Sequence, residues 1–298
     1  MPTTNIVSGS ARRPSAKRLE EAYDALTKKR RFGKLAMVDG CHKEFFWVPN
    51  NGSMRAIPNA FARSSLFGKA AKRGLVRADG ETLVSYGNIV LVYWGTWLTE
   101  VHEEAWMQLM YEARYATSWQ RVQVRASNFL RALGKSNGGG QYAQLEQVLK
   151  TLENARFTIR KLANGLWSDI TVDGPLHFLS NLEFSKGNRT FSFQIDPRWI
   201  ALFENNEYVR IDWKTRLSFG RNQSLAKALQ SYIGSSSETS QRRKVEWLRI
   251  KLRYTGPTRK FKEAFVHAME VLEKANFAGR ARFEEARDGA LMAVWERL

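Results

Sequence analysis

Residues 152–157 and 272–277 carry nearly the same string, Leu-Glu-Asn-Ala-Arg-Phe against Leu-Glu-Lys-Ala-Asn-Phe, and each belongs to the same succession of segments. The first succession opens with a short strand at 121–127 (RVQVRAS) and a helix at 128–134 (NFLRALG). A polar, glycine-rich turn at 135–140 (KSNGGG), a longer helix at 141–155 and a strand at 156–162 (RFTIRKL) follow. The second opens with 242–247 (RRKVEW), a helical 247–254 and a Thr-Gly-Pro turn. A longer helix at 258–275 and a strand-like 276–285 (NFAGRARFEE) complete it. One short match arises by chance, but the same order of elements at the same spacing points to duplication. A chain of 298 residues is long enough to give each unit its own hydrophobic core.

Each copy has the layout of a helix-turn-helix followed by a β-hairpin, which is a winged helix. In the first long helix Leu145, Val148, Leu149 and Leu152 form an i, i+3, i+4, i+7 stripe that must face inward, leaving Gln141, Gln144, Gln147 and Lys150 outside. In the second, Phe261, Phe265, Met269 and Leu272 face inward and Lys260, Glu263, His267 and Lys274 outward. Pro257 suits the start of that helix, where its missing N–H had no partner to lose.

The rest of the chain alternates strand-like and helical stretches. Residues 83–98 read as a β-branched, aromatic strand run, and 100–115 as a helix with Val101, Ala105, Leu109 and Met110 inward. Beyond the first copy, 175–184 and 189–196 read as strands joined by a Lys-Gly-Asn-Arg hairpin tip. A short helix at 197–204, a strand at 207–213, a helix at 222–233 and a Ser-rich loop at 234–241 follow. The fold class expected is α+β: two tandem winged-helix domains behind a basic N-terminal arm. The divisions are a basic, partly disordered arm over 1–50, a first domain over 51–213 and a second over 214–298.

Charge identifies the kind of partner. Lys and Arg total 47 against 29 Asp and Glu, a formal net charge of +18, and such a field attracts polyanions. No apolar run approaches a membrane span and the first residues lack a secretory stretch, so nucleic acid in the cytoplasm is expected and a membrane is not. The arm carries Arg12, Arg13, Lys17, Arg18, Lys28, Lys29, Arg30, Arg31 and Lys34 against Glu20, Glu21 and Asp24. It reads either as a solvated tail, helical in part over 16–30, or as a phosphate-tracking segment. Cys41 is the single cysteine, which excludes an intrachain disulfide and a Cys-based zinc site. No metal or cofactor is expected.

Segment 240–262 is the most biased part of the folded region. Arg242, Arg243, Lys244, Arg249, Lys251, Arg253, Arg259, Lys260 and Lys262 there meet one acid, Glu246. The first turn of a recognition helix enters the major groove, and its free N–H groups also favour phosphate. Thr258, Arg259, Lys260, Lys262 and Glu263 occupy that place in the second copy, where Arg or Lys suits guanine and Glu suits cytosine N4. In the first copy the places fall to Ser136, Asn137, Gln141, Tyr142 and Gln144. Asn and Gln match adenine, and Lys135 suits phosphate; the glutamines equally fit an uncharged, solvated face. Lys186 and Arg189 at the hairpin tip, and Arg280 and Arg282 after the second long helix, suit wings on phosphate.

Met54-Arg55-Ala56-Ile57-Pro58-Asn59, followed by Ala62-Arg63-Ser64-Ser65-Leu66-Phe67, closely resembles the segment preceding the first domain of TrfA-type plasmid replication initiators. Tyr-Trp-Gly-Thr-Trp-Leu at 93–98, Trp106, Leu130-Arg131-Ala132-Leu133-Gly134 with its Ser-Asn-Gly turn, and the Leu-rich helix follow in a similar order. The resemblance covers roughly residues 54–280. It implies tandem winged helices that bind directly repeated origin sequences (iterons) in duplex DNA, open an adjacent AT-rich region and recruit host DnaA and helicase. It also implies binding as a monomer and a homodimer in the absence of DNA. Recruitment of the sliding clamp is implied by the family, but its Gln-Leu-x-Leu-Phe peptide is absent, and only Ser64-Ser65-Leu66-Phe67 ends similarly. The N-terminal region is short, so host-range functions of a longer leader are not expected.

Two other readings use the same features. A transcriptional regulator would employ the same domains at an operator. A DNA-processing enzyme would need a nucleophile and a phosphate cradle. None of His42, His102, His177 or His267 is followed by Arg at the third position, the histidines are dispersed, and no Walker phosphate loop occurs. The acid pairs Glu103-Glu104 and Glu284-Glu285 are expected on helix surfaces. A non-enzymatic DNA-binding protein is the expectation.

Overall fold

The computed structural model describes residues 52–68, 76–116, 120–163, 166–169, 174–199 and 202–298, apart from positions 86, 88, 186, 197, 204–206 and 221. The arm expected over 1–50 lies outside the described residues. The architecture is mixed α+β, as expected, with four small antiparallel sheets among the described residues.

The described chain begins with strand β1 (Met54–Pro58), which ends at a proline and turns into a short helix, α1 (Asn59–Ala62). Strands β2 (Val76–Leu83) and β3 (Ile89–Thr96) form a hairpin. Residues 83–98, read from sequence as one strand-like run, are therefore split. Gly87, at φ +92°, supplies a backbone conformation other residues rarely adopt, and the chain reverses there. Along β3 the side chains of Ile89, Leu91 and Tyr93 point to the core, while Val90, Val92 and Trp94 stay half-exposed, as the two-residue strand period requires.

Helix α2 (Glu100–Glu112) is buried continuously from Glu103 to Met110, more than its expected stripe. An aromatic cluster surrounds it: Trp106 lies 4.7 Å from Trp199 and 5.6 Å from Phe61, and Phe61 lies 5.0 Å from Phe157. Buried Trp199 donates its indole N–H to His177 O at 2.9 Å. Such a core is sensitive to truncation, with aromatic-to-alanine changes costing about 3–5 kcal/mol.

The first repeat copy comprises β4 (Val122–Arg125), α3 (Ala126–Ala132) and α4 (Gly139–Asn154). Strands β5 (Arg156–Ala163), β6 (Leu166–Asp169) and β7 (Leu176–His177) follow, then the hairpin β8 (Ser180–Ser185) and β9 (Thr190–Gln194). Strand β10 (Tyr208–Asp212) returns antiparallel to β1, with Met54 opposite Asp212. Helices α5 (Trp213–Ser218) and α6 (Ser224–Gly234) lead to the second copy: β11 (Ser240–Lys244), α7 (Val245–Lys251), α8 (Thr258–Lys274), β12 (Ala278–Glu285) and β13 (Leu291–Arg297).

The sheets expose the repeat more clearly than the sequence does. The order β4-β9-β8 in the first copy matches β11-β13-β12 in the second. In both, the opening strand lies at an edge and pairs with the second strand of the hairpin. The literal match at 152–157 and 272–277 nevertheless misaligns the strands beyond it. Strand β5 (RFTIRKL), the sequence counterpart of β12, joins the separate sheet β2-β3-β5-β6 instead. Segment β5–β7 is thus an insertion between the long helix and the hairpin of the first copy. The counterpart of β12 is β8.

Both expected helix stripes are buried: Leu145, Val148, Leu149 and Leu152 on α4, and Phe261, Phe265, Met269 and Leu272 on α8. The buried apolar residues form two clusters, one drawn from Ala56 to Trp213 and one from Phe219 to Trp295. Among the described residues no helix is long and apolar enough to cross a membrane.

Candidate nucleic-acid interface

In both copies the turn before the long helix is built alike. After α3 the amide of Lys135 donates to Leu130 O at 2.8 Å, and Gly134 takes φ +66°. After α7 the amide of Tyr254 donates to Arg249 O at 2.8 Å, and Arg253 takes φ +50°. These left-handed residues end the short helix and aim the chain into the long one.

The first turn of α4 is nearly bare. Gly138, Gly139 and Gly140 precede Gln141, and a Cβ added at any of the three glycines would meet nothing within 4 Å. Ser136, Asn137 and Gln144 are exposed, and Lys135, Gln141 and Tyr142 half-buried. The helix N-terminus therefore presents backbone N–H groups where an anion could approach closely. Arg189, at φ +48° where the β8–β9 hairpin turns, places its guanidinium 5.3 Å over the Tyr142 ring. Two residues singled out separately in the sequence are thereby brought together. Lys186 lies outside the described residues.

The second copy repeats this join with the partners exchanged. Lys262 of α8 sits 4.8 Å over the ring of Phe283 on β12, so here the helix supplies the cation and the hairpin the aromatic ring. Thr258, Arg259 and Lys260 are exposed in the first turn. Arg249 of α7 braces that turn, donating to Thr258 Oγ1 at 2.9 Å and to Gly256 O at 2.8 Å. Glu263 accepts from Arg259 at 2.7 Å and from Lys260 at 3.0 Å. The Lys260 hydrogen bond and both positive charges hold its carboxyl below the usual carboxylate range. Glu263 thus holds two cations side by side on one exposed face.

The β12–β13 hairpin and the loop before β11 supply acids to the biased segment. Lys244 pairs with Asp288 at 3.1 Å, Arg243 with Glu238 at 3.3 Å, and Arg242 lies 3.7 Å from Glu284. Arg280 pairs with Glu296 at 2.7 Å and Arg282 with Glu284 at 2.7 Å. The excess that 240–262 shows in one dimension is partly matched in three, because β13 pairs with β11 and carries β12 on its other edge. The first turn of α8 stays exposed and basic, with Arg259 and Lys260 sharing the single acid Glu263. Sequence reading also missed Arg287, exposed in the β12–β13 turn. The Asp-Gly pair after it, with Gly289 at φ +75°, was the available signal for that turn.

A family model described as TrfA protein matches residues 10–285. No curated protein sequence matches significantly. Among solved structures, a selenomethionine crystal structure of domains 2 and 3 of RctB is similar. Its TM-score is 0.52 at 12% identity, over 81% of this chain and 98% of that one. A second structure of RctB domains 2–3 gives 0.47 at 11% identity, over 80% and 97%. At this identity the first likeness shows a shared fold.

Proposed function

The chain belongs to the TrfA family of plasmid replication initiators, and from that premise we propose that it binds directly repeated sequences in its own origin. It acts by binding and not by catalysis. Each repeat copy is a winged helix, α4 and α8 are the reading helices, and β8–β9 and β12–β13 are the wings. The two apolar clusters support domains over 51–213 and 214–298.

The observation that carries this reading is the pair of matched constructions. In each, a long helix with an exposed polar or basic first turn is joined to its hairpin by a cation–aromatic contact. Asn137, Gln141 and Gln144 suit adenine, and Arg259 and Lys260 suit guanine or phosphate. Two non-equivalent heads on one chain cover an asymmetric site without a two-fold axis, which fits direct repeats. Opening of the adjacent duplex draws on binding energy spent on bending it, and host DnaA and helicase complete the assembly in the cytoplasm.

Footprinting of the purified protein on its own replicon across a salt series tests the reading. Evenly spaced direct repeats should stay protected at salt that removes random-DNA binding. Protection of a lone palindrome would instead identify a transcriptional regulator. Nicking of supercoiled plasmid with magnesium would identify an enzyme.

A further inference from the structure

Between the two apolar clusters lies a buried set of charges. Glu103 and Glu104 of α2 are 2% and 4% exposed, and Arg216 of α5 is fully buried. Arg216 donates to Glu103 Oε2 at 2.5 Å, to Glu104 Oε1 at 3.1 Å and to Lys227 O at 2.6 Å. From α6, Ser231 donates to Glu103 Oε1 at 2.8 Å, and Lys227 Nζ lies 2.8 Å from Glu104 Oε1. The acids expected on a helix surface are thus inside, held by three cationic or hydroxyl groups from two other helices.

Two further bridges join the same halves. Arg253, in the turn before α8, donates to Leu98 O and lies 4.4 Å over the Trp97 ring. A Cβ at Gly68 would meet Arg253 Nε, so the glycine leaves the room that this arginine position occupies. Arg63 donates to Ser235 Oγ at 3.3 Å. Arg253 also takes the left-handed position that the first copy gives to Gly134, a conformation unfavourable for a side chain.

Apolar surfaces can slide with little change in contact, whereas buried charges tolerate one arrangement only. Any rotation here would strand Glu103, Glu104 or Arg216 without a partner in a dry interior. Helix α2 packs against α4, and α6 packs against α8, so the joint lies one helix from each exposed first turn.

We propose that the Glu103–Glu104–Arg216–Lys227 cluster, with Arg253 on Leu98 and Trp97, fixes the angle between α4 and α8, so that the spacing of the two contacted DNA segments is itself read. The proposal rests on the DNA-reading role given to those helices. Arg216 and Arg253 are positioning residues that touch no base.

Two measurements test it. In the first, the DNA-free protein with Cys41→Ser carries spin labels at positions 137 and 260, and the distance distribution between them is recorded. It should be narrow in the otherwise wild-type chain. It should broaden in Arg253→Ala and in the combination Glu103→Gln, Glu104→Gln, Arg216→Met, Lys227→Met, which removes all four charges of the cluster and strands none of them. A broad parent distribution, or equally narrow variants, would overturn the proposal.

In the second, the footprinted duplex receives insertions of about half and about one helical turn, roughly 5 and 10 base pairs, between the segments protected by each head. Wild-type affinity should fall about 100-fold or more as one head disengages. The variants should bind the parent duplex more weakly and lose less than about 10-fold on insertion. Equal spacing penalties in wild type and variants would sink the lock. Absence of any specific protection would sink the initiator reading, while the distance measurement would still decide the lock.

Discussion

The guanidinium of Arg189 lies 5.3 Å over the ring of Tyr142, which ties the β8–β9 turn to the first turn of α4. If α4 reads DNA as proposed, a hairpin held this way follows its helix and does not have to find phosphate independently. Arg189→Ala should therefore weaken binding to the footprinted duplex about 10-fold and reduce the salt slope by about 1. Tyr142→Phe, which keeps the ring, should stay near wild type, and Tyr142→Ala should resemble Arg189→Ala. Fluorescence anisotropy at several salt concentrations measures all three, and wild-type affinity in Arg189→Ala would remove the hairpin from the interface.

The three glycines at the start of α4 separate stability from binding. A Cβ at Gly140 meets nothing, and alanine is the better helix former, so Gly140→Ala should stabilise the fold by up to about 1 kcal/mol. The same methyl stands where a phosphate would approach the bare N–H groups, so affinity should drop. Urea denaturation and anisotropy on one preparation should move in opposite directions. If both rise together, no phosphate approaches there.

Lys251 sets an alkaline signature. It is fully buried on α7, and burial pushes its ammonium down to about 8 from 10.5, with Glu103 opposing the shift and Arg253 adding to it. Below pH 8 the folded and unfolded states both carry the proton, and the destabilisation is complete. Between about 8 and 10.5 the unfolded chain binds more proton, so stability rises with pH. The total is about 3 kcal/mol. Lys251→Met should be the more stable protein at neutral pH, and its advantage over wild type should shrink steadily across that window in urea titrations.

His102 sets an acid one. Burial, then the charge of Arg253, lowers its imidazole to about 4 from 6.5. Its Nδ1 accepts from the Thr99 amide at 3.1 Å, capping α2. Its neutral form therefore supports the fold above pH 6.5, and that support is lost as pH falls towards 4. His102→Gln keeps an acceptor at the capping position and removes the titration. Wild type should lose stability relative to this variant over that range; parallel curves would refute the assignment.

The helices were readable because their stripes are local: Phe261, Phe265, Met269 and Leu272 announce their inward face at a spacing no neighbour alters. The β8–β9 hairpin was equally readable, because Lys-Gly-Asn-Arg between two apolar strands marks a reversal. What escaped depends on residues far apart in sequence. The insertion β5–β7 stayed hidden because Leu-Glu-Asn-Ala-Arg-Phe continues the register of its twin, although Phe157 then pairs opposite Tyr93 in another sheet. The balancing of Arg242 and Lys244 came from Glu284 and Asp288, some 40 positions on, delivered by strand pairing. Glu103 and Glu104 are the sharpest case. On their own helix they read as two ordinary surface acids, and partners more than a hundred positions later, Arg216 with Lys227 and Ser231, make their burial possible.

The pairing of β1 with β10 has a consequence for synthesis. The first half of the molecule is sealed by a strand whose last residue, Asp212, follows its partner Met54 by most of that half. On the ribosome, Ala56 and Ile57 wait with an open edge until residues 208–212 emerge, and only then can the second half fold onto a finished neighbour. A message truncated before that point therefore yields an unsealed chain fit for proteolysis.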